Sequence, residues 1–387
     1  MAYFPQPRYM DIAGSEWMKL KTVMGIINLQ EDNSLIRELT DRRSVESVPF
    51  AGRYRLIDFT LSSMVNSGIQ NVGIMLPDEP RSVLDHLRSG KDWDLARRHD
   101  GLFYLPAPQQ EGLNRKGDLK NFYHNLDFFE HGTQKYVLLT SGSFVYNIDF
   151  NEMLRFHQNT NADITMIYHT ASEETVGRNV VLETAENGLV TDISEKPAVY
   201  DGSKVAMSIY LMEKRVFVEM VRYTYEHGGQ DLLMDGIIRR TGEYNIFACE
   251  HDGYVAHVDS TAAYYRSNMD VLHPKIWEEL FMGDRSIYTK VKDEVPVQYK
   301  ETADVRNSLI ANGCIIRGEV ENSILFRGVK VGKGVKIKNS IIMQKCDIQD
   351  GTLIENVICD KNVVITKEKW LKGAQNYPLI VTKNVVI

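Results

Sequence analysis

A six-residue repeat of apolar side chains occupies the C-terminal part of the chain, from about residue 305 to residue 387. Two interleaved series show this spacing: Val329, Val335 and Ile341 form one, and Leu325, Val331, Ile337 and Met343 form the other. The segment lacks the period near 3.6 residues that an amphipathic helix needs. A six-residue period with glycines among the apolar positions is typical of a parallel β-helix, in which each hexad forms one face of a coil. The sequence therefore predicts a β-helix over residues 305–387.

Residues 20–255 follow a different pattern, in which short β-rich runs alternate with helix-like segments. The β-rich runs cover 22–29, 71–77, 135–141 and 162–169, and helical periodicity predicts helices over 82–90 and 121–132. Such alternation predicts βαβ units and a mostly parallel, Rossmann-like sheet in an α/β domain. Asn187 and Gly188 separate two further β-rich runs. They predict a hairpin whose two turn residues have positive φ, so that the sheet is mixed.

These patterns divide the 387-residue chain into four parts. A second methionine, Met18, precedes the first strand, and residues 1–17 are expected to be an extension, either native or added. The mixed α/β domain is expected over 18–260. A helical connector and a loop follow over 261–304, and the β-helix occupies 305–387.

Composition excludes several classes of function. The formal net charge of −7 argues against a broad nucleic-acid-binding surface. No apolar run reaches the roughly 18 residues that a membrane-spanning helix needs. The first residues lack a basic segment followed by an apolar one, so no secretory signal is expected. The four cysteines are far apart and show no CxxC spacing, which predicts reduced thiols and a cytoplasmic location.

Several motifs together resemble one enzyme family. The segment "VPFAGRYRLIDFTLSSMVNSGIQNVGIM" (48–75) is similar to the "PFGGKYRLIDFxLSNxxNSGI" motif of the ADP-glucose pyrophosphorylases, or glucose-1-phosphate adenylyltransferases. The segments "SVLDHLRSGKDWDL", "GDLKNFYHNLDFF", "EKP", "AMSIY" and "TAAYYRSNMDVL" follow in the family's order. The resemblance covers essentially residues 20–387. It implies a nucleotidyltransferase domain followed by a left-handed parallel β-helix. The family reaction converts ATP and glucose 1-phosphate to ADP-glucose and pyrophosphate with Mg²⁺.

The phosphate loop of that family is altered in this chain. Its glycines fall on Gln30, Glu31 and Asn33, and its catalytic arginine falls on Leu35. Glycines let backbone N–H groups approach a phosphate closely, and a triphosphate needs positive surroundings. Glu31 and Asp32 repel phosphate instead, so the sequence predicts that nucleotide binding has been lost.

Other catalytic positions are altered as well. A family lysine is replaced by Val45, a family aspartate by Lys120, and the two metal-binding aspartates by Ser143 and His257. A neutral hydroxyl is a poor sole anchor for a hard dication. Because phosphoryl transfer depends on positioning and charge neutralisation, the sequence predicts no catalytic residue, no metal site and no cofactor in this chain.

The resemblance then points to the regulatory, GlgD-type subunits of the family, which are non-catalytic or weakly catalytic. It implies a role in bacterial glycogen synthesis beside a catalytic subunit that carries the Mg²⁺. The expected assembly is a hetero-tetramer, with a homo-oligomer as the possible form of the isolated chain. No nucleic-acid or membrane partner is expected.

Two groups of ligand-binding residues match the family. Glu195 and Lys196 match its sugar-phosphate contact, and the alternative is a solvated pair. Arg42, Arg43 and Arg55 match cations that bind phosphorylated effectors near the β-helix, and the alternative is surface solubility. An arginine suits phosphate because its planar guanidinium donates two hydrogen bonds at once. The three arginines are therefore predicted to form an effector or anion site.

Two other functions stay open at this point. The chain could be an active sugar-phosphate nucleotidyltransferase whose metal site is rebuilt from His257 and Asp259, which lie two apart and therefore on one face of a strand. It could also be a sugar-phosphate sensor that joins no enzyme.

Overall fold

A mixed sheet forms the centre of the N-terminal domain in the computed structural model, which describes residues 21–30, 34–108, 117–172 and 175–387. Seven of its described strands follow one another in the spatial order Val190–Val199, Thr175–Thr184, Lys204–Glu213, Tyr136–Ser141, Val23–Asn28, Asn71–Met75 and Gly101–Leu105. Ile164–Thr170 pairs with Lys204–Glu213, and Ile246–Glu250 pairs with Ile164–Thr170.

The two sides of this sheet differ in strand direction. Val23–Asn28 lies between two parallel neighbours, Asn71–Met75 and Tyr136–Ser141. Lys204–Glu213 runs antiparallel to Tyr136–Ser141. This arrangement confirms the predicted mixed α/β sheet. It also places the carboxyl end of Val23–Asn28 near the centre of the sheet, where ligands bind in open α/β folds.

Helices cover both faces of the sheet. The α-helices described in this domain are Arg37–Thr40, Leu56–Asn66, Arg81–Leu87, Leu119–His124, Leu126–His131, Phe150–Thr160 and Lys214–Glu226. Successive side chains of a strand point to opposite faces. Val23 and Ile27 accordingly belong to one buried cluster, and Met24 and Ile26 belong to the other. Burial on both faces explains the continuous apolar run of this strand.

The prediction of one helix over 121–132 was wrong. Two helices, Leu119–His124 and Leu126–His131, meet at Asn125, whose φ of −102° and ψ of 20° are not helical. The Asn125 side chain donates hydrogen bonds to the carbonyls of Pro106 (3.1 Å) and Asn121 (2.8 Å). An asparagine that bonds to nearby backbone in this way competes with helix continuation.

The hairpin at Asn187 and Gly188 is present, but its turn is not the predicted one. Strands Thr175–Thr184 and Val190–Val199 pair antiparallel. Of the two turn residues, only Gly188 has positive φ (83°). The Asn187 side chain instead accepts a hydrogen bond from the backbone N–H of Leu189 (3.1 Å). The loop is therefore longer than a two-residue turn and is held by a side chain.

Three parallel five-stranded sheets form the C-terminal domain. The first contains Gln298–Tyr299, Ile315–Ile316, Lys330–Val331, Asp347–Ile348 and Val364–Ile365; the second contains Asp304–Arg306, Glu319–Glu321, Lys336–Lys338, Leu353–Glu355 and Trp370–Lys372; the third contains Leu309–Ile310, Ile324–Leu325, Ile341–Ile342, Val357–Cys359 and Leu379–Val381. Val331, Ile337 and Ile342 point inward from successive sheets and are buried. The hexapeptide repeat thus forms the predicted left-handed parallel β-helix, whose first strand precedes residue 305.

Two helices, Thr261–Asp270 and Pro274–Phe281, connect the domains. The β-helix contributes Phe326 to a buried cluster that also contains Phe50 of the first domain and Tyr264 of the connector. The Tyr264 hydroxyl donates to the carbonyl of Pro49 (2.7 Å). The domains therefore share part of their hydrophobic core.

Two expectations from composition can be compared with this fold. Within the described ranges, no helix combines the length and the apolarity that crossing a bilayer requires. The four cysteines are free thiols; Cys249 is partly buried, and Cys314, Cys346 and Cys359 are buried.

The short antiparallel pairs position two functional segments. Pro49–Phe50 pairs with Tyr54–Arg55, and Phe144–Val145 pairs with Ala256–His257. The first pair leads into helix Leu56–Asn66, whose Asp58 side chain accepts from the Arg55 backbone N–H (3.0 Å). This contact stabilises the start of the helix.

Candidate nucleotide and effector sites

The first candidate site lies at the carboxyl end of strand Val23–Asn28. The Asn28 side chain accepts from the backbone N–H of Gln30 (3.2 Å), and the Gln30 side chain donates to the carbonyl of Leu76 (3.2 Å). Glu31, Asp32 and Asn33 lie outside the described residues. Leu35, at the position of the family's catalytic arginine, is 61% exposed. Its aliphatic side chain has no donor for a phosphate oxygen.

Two further altered positions lie in different surroundings. Val45 is buried and belongs to the core shared with the β-helix. A lysine there would have to be desolvated, so an apolar side chain suits the position. Lys120 lies partly buried on helix Leu119–His124. At neither position does the chain offer the group that the family has there.

The two metal positions of the family are adjacent in this fold. His257 lies opposite Phe144 in the antiparallel pair, and the N–H of Val258 donates to the Ser143 carbonyl (3.0 Å). Ser143 is fully buried, and its hydroxyl oxygen lies 2.9 Å from that of Ser141 in a hydrogen bond. The two positions are thus adjacent, but they carry a hydroxyl and an imidazole instead of the family's carboxylates.

The surrounding side chains do not fit a magnesium ion. The His257 ring stacks on the Phe144 ring, with 4.2 Å between centroids and 4° between planes. Asp259 lies two residues beyond His257, past the end of this strand pair, and Val258 between them is buried. Across the described part of the chain, no group of three His, Cys, Asp or Glu residues is placed to hold a metal ion. Mg²⁺ prefers six oxygen ligands in near-octahedral geometry, which a serine hydroxyl and an imidazole do not provide.

Asp118 is a residue of this site that the sequence reasoning missed. Its carboxylate accepts hydrogen bonds from the Asn28 side chain (2.8 Å) and from the backbone N–H of Leu232 (2.9 Å). Burial, and then the charge of Asp231, raise the pKa of Asp118 to about 7. When ionised, this carboxylate adds negative charge at the end of the central strand and opposes phosphate there. Only its tertiary contacts reveal it.

The predicted sugar-phosphate residues lie at the edge of the sheet. Glu195 and Lys196 are exposed neighbours on strand Val190–Val199. They face Val180 and Asn179 across the ladder. Neither residue lines the junction cavity described next.

A cavity of about 750 Å³ lies at the junction between the two domains. It brings together three arginines named from the sequence, Arg42, Arg43 and Arg55. Other basic side chains that line it are Arg37, Arg81, Lys361 and Lys383, and the acidic ones are Glu38, Asp41, Asp85 and Asp360. The excess of basic over acidic groups favours an anionic ligand.

The three arginines have different roles in this cavity. Arg43 donates from Nε to the Leu39 carbonyl (2.7 Å) and forms a buried ion pair with Asp360 of the β-helix (2.6 Å). Arg55 donates to the backbone carbonyl (2.8 Å) and the hydroxyl (2.9 Å) of Ser82. Arg42 is largely exposed. Arg43 therefore ties the domains together, and the other two arginines have donors left for a ligand.

Lys361 places a further cation against these arginines. Burial, and then the charges of Arg55 and Arg43, lower the pKa of Lys361 to about 7. Burial is likewise the main reason why the pKa of Arg55 is lowered to about 10. Crowded, partly buried cations are stabilised by a bound anion. Lys361 has no motif in the sequence, because only the stacking of β-helix coils brings it to this junction.

Comparisons with known proteins agree with this geometry. The family model described as "Nucleotidyl transferase" matches residues 34–271, and "GlmU-like, C-terminal hexapeptide" matches 294–372. "Glycogen biosynthesis protein GlgD" of Bacillus subtilis (strain 168) is 37% identical over 94% of this chain and 96% of its own length. The protein of the same name from Geobacillus stearothermophilus is 40% identical over 94% of this chain and 97% of its own length. The "Glucose-1-phosphate adenylyltransferase" of Mycoplasma mobile is 31% identical over 83% of this chain and 86% of its own length.

The chain belongs to the glucose-1-phosphate adenylyltransferase family. The similarity to the GlgD proteins covers 94% of this chain and therefore extends into both domains. Within this family, the chain combines the two-domain fold with Leu35, Ser143 and His257 at the positions that the resemblance gives to a catalytic arginine and two metal-binding aspartates.

Proposed function

We propose that this chain is a regulatory subunit, weakly catalytic or non-catalytic, of an ADP-glucose pyrophosphorylase complex in bacterial glycogen biosynthesis. The observation that carries the proposal is the buried Ser143 hydroxyl, hydrogen-bonded to Ser141, at the position of a metal-binding carboxylate. The names of the GlgD relatives support the pathway. In this proposal the catalytic partner supplies the Mg²⁺ and the nucleotide site of a cytoplasmic hetero-tetramer.

The junction cavity supports the regulatory part of the proposal. Basic groups from both domains line it, whereas Leu35 and Val45 stand where the resemblance places a catalytic arginine and a lysine. Arg55 and Lys361 supply donors that a phosphorylated effector can use. An effector bound there contacts the nucleotidyltransferase domain and the β-helix at once, so its affinity depends on their relative arrangement.

An assay of ADP-glucose formation tests the proposal, using this chain alone, a catalytic glucose-1-phosphate adenylyltransferase alone, and the two together. We expect this chain alone to be slower than the catalytic subunit by at least about 10²-fold, because even one missing electrostatic contributor typically costs that much. Mixing should change the rate or the effector response of the catalytic subunit. Light scattering on the mixture reports the assembly.

The rival with a rebuilt metal site makes the opposite prediction. Robust magnesium-dependent turnover by the pure chain, lost in His257→Ala or Asp259→Ala, would favour that rival. His131→Ala, on an exposed helix face, is the matched control for a nonspecific effect of removing a histidine. A chain that binds sugar phosphate but neither assembles with the catalytic subunit nor alters it would instead be a separate sensor.

A further inference from the structure

A second group of basic side chains lies near the junction, outside the cavity just described. It consists of Arg53 in the turn between Pro49–Phe50 and Tyr54–Arg55, Lys292 in the connector, and Arg327 and Lys345 at a corner of the β-helix. None of these four side chains lines the junction cavity. We call them the Arg327 cluster.

The coils of the β-helix place two members of this cluster side by side. The backbone N–H of Lys345 donates to the carbonyl of Arg327 (3.0 Å), so the two residues come from successive coils at one corner. The connector runs along the same corner, because the N–H of Gly313 donates to the Val295 carbonyl (2.7 Å). A side chain on Gly313 would come within 3.3 Å of the Glu294 carboxylate. Lys292 therefore approaches the corner from the connector.

The first domain reaches the same region through its hairpin turn. Gly52 has a φ of 80°, and a side chain there would lie 3.9 Å from Ala311 and Ile324 of the β-helix. The turn is thus in contact with the coils next to the Arg327 corner, and Arg53 follows Gly52 directly. Arg53 and Lys345 are exposed, and Arg327 is partly buried. The cluster is therefore accessible and drawn from three separate segments.

The charges of the cluster are not balanced by ion pairs. None of its four members has an ion pair within 4.0 Å among the described residues. Burial is the main reason why the pKa of Lys292 is lowered, and the charges of Arg327, Arg55 and Lys345 lower it further. Burial is also the main reason why the pKa of Arg327 is lowered, and the charge of Arg53 lowers it further. Glu294 and Asp58 offset this repulsion only in part.

Basic residues on another face of the same β-helix are arranged differently. Lys336 pairs with Glu319 (3.1 Å), Lys338 with Glu321 (3.5 Å) and Lys372 with Glu355 (2.8 Å). Acidic partners on that face offset the positive charge coil by coil. At the Arg327 corner the same scaffold leaves the cations close together instead, which is an arrangement that an anionic ligand would stabilise.

We propose that the Arg327 cluster binds a phosphate group, free or carried on a small molecule, at a site that adjoins the junction cavity but uses different side chains. Arg327 and Arg53 offer planar guanidinium groups for paired hydrogen bonds, and Lys292 and Lys345 add point charges. Lys361 of the cavity lies two coils beyond Arg327 along the corner, a separation of about 10 Å at the usual strand spacing. Arg55 acts on both Lys292 and Lys361, so the two groups adjoin, and substitutions are needed to distinguish them.

Calorimetric titration of the full chain with inorganic phosphate at low ionic strength tests this site. The decisive comparison is made in a Lys361→Gln background, which removes a central cation of the junction cavity. We expect phosphate binding to persist there and to weaken by about tenfold or more on adding Lys292→Gln and Arg327→Gln, since each removes a charge-assisted hydrogen bond. Glucose 1-phosphate, titrated in parallel, shows whether the phosphate is preferred free or on a sugar.

The matched control adds Lys330→Gln and Lys369→Gln to the same background. These exposed residues belong to the same β-helix, and their replacement changes the net charge equally. Equal weakening in the control and cluster variants would show a nonspecific charge effect and overturn the proposal. Unchanged binding in the cluster variant, or no binding once Lys361 is replaced, would overturn it as well. Because the measurement needs no enzyme activity, its outcome is independent of the proposed regulatory function.

Discussion

At the scale of single residues, Ser143 separates the metal position of this chain from that of a catalytic enzyme. Its hydroxyl is buried and bonded to Ser141, and the His257 ring beside it is stacked on Phe144. A carboxylate introduced here would be buried beside the Ser141 hydroxyl, in a stretch where Gly142 packs against the buried Glu46 side chain. Buried charge without a partner is costly, so restoring one ligand does not restore a metal site.

Ser143→Asp should therefore leave ADP-glucose formation at its original level and lower stability by at least about 2 kcal/mol, since the new carboxylate is buried without a cation. Ser143→Ala should cost only about 1 kcal/mol, because it loses one hydrogen bond. Urea denaturation and the ADP-glucose assay on both variants measure these effects. A Ser143→Asp protein with the turnover of a catalytic subunit would contradict the view that several sites were lost together.

Lys361 gives the junction cavity a pH dependence. Its pKa is lowered to about 7 in the folded chain from an ordinary value of 10.5. Between these values the unfolded state binds more protons than the folded state, so stability rises as pH rises from 7 towards 10.5. Below about pH 7 both states are protonated and this contribution is constant. Arg43, Arg55, Asp360 and Lys383 are the charged neighbours that set this balance.

Lys361→Met should remove that rise. The difference in free energy of unfolding between wild type and variant, measured by urea denaturation, should change in favour of the wild type as pH increases from 7 to 9.5. Bound phosphate should raise the pKa of Lys361, because an anion favours the charged lysine. Calorimetry in buffers of different ionisation enthalpy should show proton uptake on phosphate binding near pH 8. If the difference in free energy of unfolding does not change with pH, the pKa of Lys361 is not lowered in the folded chain.

At the scale of the elements, side chains along each β-helix strand alternate between apolar ones that point into the coil and charged ones that point outward. On strand Lys336–Lys338, Ile337 points into the coil and is buried, whereas Lys336 points outward and pairs with Glu319. Exposed ion pairs contribute little, and deleted core side chains leave cavities. Neighbouring positions of one strand should therefore differ greatly in their effect on stability.

Ile337→Ala should destabilise the protein by about 2–5 kcal/mol, and Lys336→Ala by less than about 1 kcal/mol. Chemical denaturation of the two variants side by side tests this, with added salt expected to reduce the Lys336 effect further. Similar losses for both variants would mean that the outward charge ladder, and not the apolar interior, holds the coils together.

The same elements show what a sequence can and cannot predict. The period of six was visible because most buried side chains of the β-helix are apolar, and the mixed sheet was visible from strand and helix alternation. Asn125 was not recognised as a helix break, because its bonds to Pro106 and Asn121 depend on tertiary placement. The arginines of the junction came from a motif, whereas Lys361 and Asp360 needed the stacking of coils to reach them.

At the scale of the whole molecule, the two domains are joined in two ways. A common hydrophobic core contains Phe50, Tyr264 and Phe326, and the buried pair of Arg43 and Asp360 spans the junction. Removing one member of a buried pair leaves the other charge uncompensated, so Arg43 is unsuitable for testing ligand binding alone. Arg55 and Lys361 line the cavity without that ion pair, so they are the better positions for probing an effector.

Arg55→Ala combined with Lys361→Ala should alter the effector response of the mixed complex while leaving its mass unchanged. A phosphorylated activator of the catalytic subunit loses two charge-assisted contacts, so its half-maximal concentration should rise by about tenfold or more. Activator titration of the reconstituted complex, paired with light scattering, measures both quantities.

Lys330→Ala, on an outer face of the β-helix, is the control for lost charge and should leave the curve unchanged. If the double variant titrates like the unmodified complex, the cavity is not the effector site. If the unmodified chains fail to associate at micromolar concentration, the regulatory-subunit proposal itself fails.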